Sequence, residues 1–234
     1  MQIAADSPPP LRQDAATPAD RYAVVDVETT GLDPRLHRVI ECAVVECRAD
    51  GSICAEWSSL VQVPGDGVLG AHWIHGITRP MLAGAPAFAE ITGELVDRLA
   101  GRVVVAHVLD FDLGHLAAEF ARAGLALPAL RPAGACTREL ARALLPHGPF
   151  SLAACCSATG VPLEGAHTAL GDARAAAGLL AHFLRLGGAD LLAGARAAAP
   201  GVNWPPVERE GSTTARPRPF PPGGPAIAFG ERWR

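Results

Sequence analysis

A chain of 234 residues that is 49% hydrophobic can close a substantial core, as one large domain or as one domain with a tail. No apolar run approaches the roughly 20 residues that span a bilayer, and residues 1–20 lack the basic start and apolar centre of a signal peptide, so a soluble, cytoplasmic protein with no membrane partner is expected. The net charge of −4 argues against gripping nucleic acid by bulk electrostatics, while leaving room for a local basic groove.

Residues 1–20, with Pro8, Pro9, Pro10 and Pro18, read as a flexible leader. Tyr22 to Glu28 is an apolar strand broken by Gly31, Asp33 and Pro34. Arg38 to Cys47 is a second strand. Ala49 to Ser52 makes a hairpin turn, and Ile53 to Val63 returns antiparallel. After a loop over 64–70, Ala71 to Thr78 leads to Pro86 and a helix ending at Leu99. Arg102 to His107, with Val103, Val104 and Val105, is a short buried strand, and Asp110 is expected to cap a helix running to about Ala123. A short strand near Ala135 and Cys136 precedes a helix from Thr137 to Leu145. Ser151 caps a helix to Thr159, and the last strong helix spans Thr168 to Leu186, stopped by Gly187 and Gly188. Residues 21–187 form the expected domain. Beyond them lie a weak helical piece and a tail rich in Pro, Gly and Arg, expected to be disordered and to stand outside the fold. A three-strand meander followed by alternating helices and strands predicts an α/β fold with a mixed sheet.

Asp26 and Glu28 carry the first chemical signal. Residues i and i+2 of a strand point to the same side, so both carboxylates leave one face near the strand's end. Two desolvated acids repel each other unless a cation lies between them. Taken alone, the pair could simply reach solvent at a strand edge. Asp112, in the first turn of a helix, and Asp172, in the last strong helix with His167 just before it, could each be ordinary helix-start acids. Acids at a strand end and at two helix starts, in set order, are harder to dismiss, because such loops converge outside the strand ends of an α/β sheet. Four carboxylates with all-oxygen ligation favour Mg²⁺ or Mn²⁺. The six cysteines contain no C-x-x-C pair and read as small thiols.

From Tyr22 to about Leu186 the chain resembles the DEDDh family of 3′–5′ exonucleases. The resemblance lies in Asp26 to Gly31, in Ala106-His107 through Asp112, and in His167 through Ala173. It implies a ribonuclease-H-like fold with a five-stranded mixed sheet flanked by helices, and a two-metal site. Asp26 would bridge both ions, Glu28 and Asp172 would support the one that activates water, and Asp112 the other, with His167 as general base. Thr29, Thr30 and Gly31 would contact the terminal nucleotide as well as end the strand in a turn, and His75 and Ile77 would either pack on the substrate strand or serve the packing of their own loop. Val108 stands where the family usually has Asn, which implies altered local hydrogen bonding.

His107 and Trp73 read as structural residues, and His115 ranks below His167 as a site residue. The substrate implied is the 3′ end of single-stranded DNA. The same chemistry on RNA is the nearest alternative, and a nuclease-inactive binding module is disfavoured because all four acids and the histidine are present. Pro225 to Phe229 is a weak candidate for a linear motif toward a polymerase or sliding clamp.

Overall fold

The computed structural model describes residues 21–65, 69–207 and 215–218. The leader 1–20 and the Pro225 to Phe229 motif lie outside the described residues. Strand β1 (Tyr22–Thr29) is central in a five-stranded sheet ordered β3-β2-β1-β4-β5. It pairs antiparallel with β2 (Val39–Cys47), which pairs antiparallel with β3 (Ile53–Leu60). On its other side β1 runs parallel to β4 (Val103–Ala106), and β4 runs parallel to β5 (Gly134–Cys136). This is the mixed sheet expected, with both faces covered by helices.

Period-two alternation in β1 sorts the two faces. Ala23, Val25 and Val27 face a core built with α3 (Phe88–Leu99) and α4 (Leu109–Arg122). Tyr22 and Val24 face the opposite core, made with α5 (Thr137–Leu144), α6 (Leu152–Thr159) and α7 (Ala169–Phe183). Asp26 and Glu28 continue that second set, so they emerge where α7 begins. Ala169, Ala173, Ala176 and Ala177 are buried along α7, and their small side chains let the helix lie close on β1 and β2. Leu179, Leu180 and Phe183 fill the space further along, each worth roughly 1.5–3 kcal/mol on burial.

Two short helices, α1 (His72–His75) and α2 (Arg79–Leu82), occupy the stretch read only as a lead-in. At Gly70 (φ +70°) the backbone packs so closely on the Thr30 carbonyl that a Cβ would collide with it. That approach brings α1 beside the end of β1. A buried anchor fixes α4: Glu119, 1% exposed, receives Arg38 Nε at 2.7 Å and Nη2 at 2.9 Å, and also the Val39 N–H at 3.2 Å. The pair ties the helix carrying Asp112 to the start of β2.

Three expectations need correction. Asp110 does not cap α4. It lies within the helix, exposed, 3.4 Å from Arg131, while Val108 holds the cap position without a side-chain cap. The third strand ends at Leu60; beyond it the Val61 N–H still reaches the Ile40 carbonyl at 2.9 Å, and Gln62 makes an isolated parallel bridge to Ala87. The region after Pro200 is not wholly apart from the fold. Val202, Trp204, Val207 and Ala215 pack against the α3/α4 core, and residues 215–218 run beside β3. Apolar side chains on that stretch have buried surface to cover.

The last expected helix breaks at Gly187 (φ 87°), and a short α8 (Ala193–Ala198) follows. Among the described residues no single helix is long and apolar enough to cross a membrane. The bent pair Ala169–Gly188 and Asp190–Gly201 has the composition, but α7 is buried against the sheet.

Candidate active site

The site forms where β1 and β4 end and where α4 and α7 begin. β1 supplies Asp26 and Glu28, α4 supplies Asp112 in its first turn, and α7 supplies Asp172 in its own. Carboxylate oxygens of Asp26, Glu28 and Asp172 lie within 4.8 Å of one another, the one such group among the described residues that could hold a metal ion. Asp112 comes from the opposite face of the sheet, and its Oδ1 accepts the Val27 N–H at 3.3 Å, beside Asp26.

This crowding is electrostatically unfavourable without a cation. Burial pushes the Asp26 carboxyl well above its ordinary range, and Asp112, Asp172, Glu28 and Glu41 push it further. Glu28 is raised in the same way, chiefly by burial and then by Asp172 and Glu41. Burial lifts Asp112 to about 8 and Asp172 to about 7, even though backbone N–H donors oppose the shift at both. A divalent cation would reverse these shifts by favouring the ionised forms. The all-oxygen donor set therefore fits a hard divalent ion.

His167 lies on the approach to α7, half-buried, with burial lowering its imidazole below the ordinary value. It is the one non-glycine residue with positive φ (64°) among the described residues. A left-handed conformation at a non-glycine residue is held only where its surroundings enforce it. Here the His167 N–H reaches Asp172 Oδ2 at 3.3 Å and Oδ1 at 3.4 Å. Thr168 caps α7 by accepting the Gly171 N–H at 3.0 Å, and its hydroxyl donates to the Gly165 carbonyl at 2.7 Å. Gly171 itself packs against the carbonyls of Glu164 and Gly165, where a Cβ would collide with both. The approach loop and the helix start thus form one tightly keyed unit.

The turn after β1 is built by its own residues. Thr29 Oγ1 donates to the Gly31 carbonyl at 2.8 Å, and Thr30 Oγ1 accepts the Arg38 N–H at 3.0 Å. All three residues, Thr29, Thr30 and Gly31, are half-buried beside the acids. His115 supports the turn: its Nε2 is 3.1 Å from the Gly31 carbonyl and its Nδ1 is 3.1 Å from the Phe111 carbonyl.

His75 and Ile77 do not present a surface to a substrate strand. Ile77 is fully buried in a small core with Ile40, Leu60 and Leu69. His75 Nδ1 accepts the Ile77 N–H at 3.0 Å, while its Nε2 faces the Leu69 carbonyl at 3.2 Å. Both ring nitrogens are occupied by the loop's own backbone. The exposed neighbour is Trp73, 69% accessible, so it anchors no core. His107 is structural: Nδ1 faces the Thr137 hydroxyl at 2.9 Å, Nε2 faces the Phe150 carbonyl at 3.1 Å, and burial lowers it to about 4.

Sequence reading missed Glu41. It lies opposite Glu28 in the β1–β2 register, fully buried, and its Oε2 accepts the Ala169 N–H at 3.1 Å. Its Oε1 has no hydrogen-bond partner among the described residues. The available signal was a glutamate interrupting the apolar run Val39 to Val45. Pairing it with Glu28 required a register that residue patterns alone do not give.

Known proteins fit this geometry. The model of the exonuclease family RNase_T matches residues 23–180. The PolC-type DNA polymerase III of Thermotoga petrophila is 30% identical over 176 residues, 75% of this chain but 13% of that protein. The DNA polymerase III subunit epsilon of Aquifex aeolicus is 30% identical over 157 residues, 65% of this chain and 74% of the subunit. Among solved structures, Exonuclease X in complex with 5′ overhanging duplex DNA is 27% identical with a TM-score of 0.55, covering 71% of this chain and 93% of that one. The nuclease domain of 3′hExo, a DEDDh family member bound to rAMP, shares the fold at 18% identity and a TM-score of 0.63, over 74% of this chain and 94% of that domain. Since the family model covers more than half of its length, this chain belongs to the exonuclease family.

Proposed function

We propose that the chain is a divalent-metal-dependent 3′–5′ exonuclease that removes nucleoside 5′-monophosphates from DNA, in replication proofreading or repair. The carrying observation is the convergence of Asp26, Glu28 and Asp172 in a chain of the exonuclease family. The similarity to subunit epsilon and to a DNA-bound exonuclease supports DNA as substrate and a polymerase as partner.

Asp26, Glu28, Asp172 and Asp112 would hold two Mg²⁺ or Mn²⁺ ions. Bound there, such ions supply charge stabilisation to both the attacking and the leaving oxygen of an in-line displacement. His167 takes a proton from the attacking water as its oxygen bonds to phosphorus. The bond from phosphorus to the 3′ oxygen of the preceding nucleotide breaks, and that oxygen leaves as an alkoxide that takes a proton from solvent to become the new 3′ hydroxyl. Burial lowers the imidazole, which favours the neutral form that accepts a proton. Thr29, Thr30 and Gly31 would bound the seat of the terminal nucleotide.

The test is digestion of 5′-labelled single-stranded DNA and matched RNA with Mg²⁺ or Mn²⁺. The expected result is a metal-dependent ladder shortening from the 3′ end, faster on DNA. His167→Ala should lower kcat by about 10²–10⁴-fold, the usual contribution of a positioned general base. Release from the 5′ end, or internal cuts alone, would contradict the proposal. Faster digestion of RNA would move the substrate to the alternative class.

A further inference from the structure

We infer that Arg218 is a positioning residue for the His167 loop, delivered to the active site in cis by the segment 215–218. The inference rests on the exonuclease reading for its effect on turnover, while the placement of Arg218 stands independently of it.

The segment reaches the site along the free edge of the sheet. β3 is an edge strand, and the tail docks against its end. The Leu60 N–H donates to the Arg216 carbonyl at 2.9 Å, and the Arg216 N–H donates to Ser59 Oγ at 3.1 Å. The Arg216 guanidinium donates to the Ala83 carbonyl after α2. Docking by main-chain bonds at an exposed strand edge is an economical way to seat an extended segment.

Two residues on, Arg218 turns inward with its side chain 12% exposed. Its Nη1 donates to the His167 carbonyl at 3.1 Å and lies 3.5 Å from Glu41 Oε2. Its Nη2 donates to the His75 carbonyl. One guanidinium therefore joins three parts of the rim: the loop before α7, the loop after α1, and the buried acid of β2. The planar fork of arginine can hold acceptors in such divergent directions, whereas a lysine ammonium presents a compact point charge on a flexible stem.

The consequence for His167 is local. Its N–H is tied to Asp172 and its carbonyl to Arg218, so hydrogen bonds on both sides of a left-handed residue fix the base of the imidazole. Glu41 completes the arrangement, because its Oε2 meets both the first N–H of α7 and Arg218. The Arg218 charge also opposes the burial-driven rise of Glu28 and Glu41. A tail arginine thus supports a loop that the acids and His167 share.

The experiment compares full-length wild type with Arg218→Ala and Arg218→Lys, on 5′-labelled single-stranded DNA at saturating Mg²⁺. Support of a positioned group typically changes activity by about 10–100-fold. The expected result is a kcat lowered by that factor in both variants, a KM within about threefold of wild type, and an unchanged melting curve. Millimolar methylguanidinium should restore part of the Arg218→Ala loss. A second readout needs no turnover: the His167 imidazole proton resonance of the metal-free protein, assigned by its absence in His167→Ala, should shift in Arg218→Ala. An unchanged kcat with an unmoved resonance would overturn the inference. So would a loss confined to KM, which would make Arg218 a strand contact, or a lowered melting temperature with no chemical rescue, which would make it a fold support. If wild type is itself inactive, the proposed function fails while the resonance still decides the role of Arg218.

Discussion

Asp26→Asn should abolish exonuclease activity and at the same time leave the metal-free protein as stable as wild type or more so. The two effects have one cause. Asp26 is at the centre of the acidic group, within ligand distance of Glu28 and Asp172 and pressed by Asp112. Replacing its carboxylate with an amide would remove a ligand of the proposed metal site, and losing several kcal/mol of transition-state stabilisation corresponds to at least about 10³-fold in rate. The same change removes one member of a mutually repelling, partly buried set, which relieves the apo fold. A residue conserving stability alone would show the opposite pattern, with a lower melting temperature. The check is a pair of measurements on one preparation: the rate of mononucleotide release with Mg²⁺, and thermal unfolding in EDTA.

The second large effect is a pH dependence of stability that metal should erase. Asp112 and Asp172 have folded-state values of about 8 and about 7, against an ordinary 3.8. A raised value means that the folded state binds protons more tightly than the unfolded chain. The stability linked to these groups is complete below about pH 4 and is lost as pH rises through about 7 and then about 8. In EDTA the protein should therefore lose on the order of 7 kcal/mol between pH 5 and pH 9 from these two groups, roughly 20 °C in Tm. Saturating Mg²⁺ holds the carboxylates ionised and should flatten the profile. Thermal unfolding across that pH range, with and without Mg²⁺, reads the difference. A rise in Tm with pH in EDTA would contradict the assigned shifts.

Much of this was legible from residue order because the elements are locally encoded. Alternation in Tyr22 to Glu28 placed two acids on one face, and that face is the one where α7 starts. Ser151 carries the hydroxyl that a helix start needs and caps as expected, and Thr168, read only as the start of the last strong helix, is its cap. The failures were of another kind. Asp110 is a good capping residue by type, yet the chain enters α4 through Val108, and Asp110 falls one step inside. His75 and Ile77 lie near the site in sequence pattern, but the closure of a small local core turns both inward. Glu41 and Arg218 depend on a strand register and on a tail contact from 177 residues away. No window of sequence contains both ends of such a contact, so they emerged only with the fold.

The most direct test of the central claim is calorimetric titration of the metal-free protein with Mn²⁺ at pH 7, repeated in two buffers of different ionisation heat. Carboxyls raised to about 7 and about 8 are partly protonated at that pH, so Mn²⁺ binding should release protons and the observed heat should depend on the buffer. Asp26→Asn should bind far more weakly and release fewer protons. Folded wild-type protein that takes up no Mn²⁺ at millimolar concentration would contradict the account, because the buried acids would then be a structural cluster and not a metal centre.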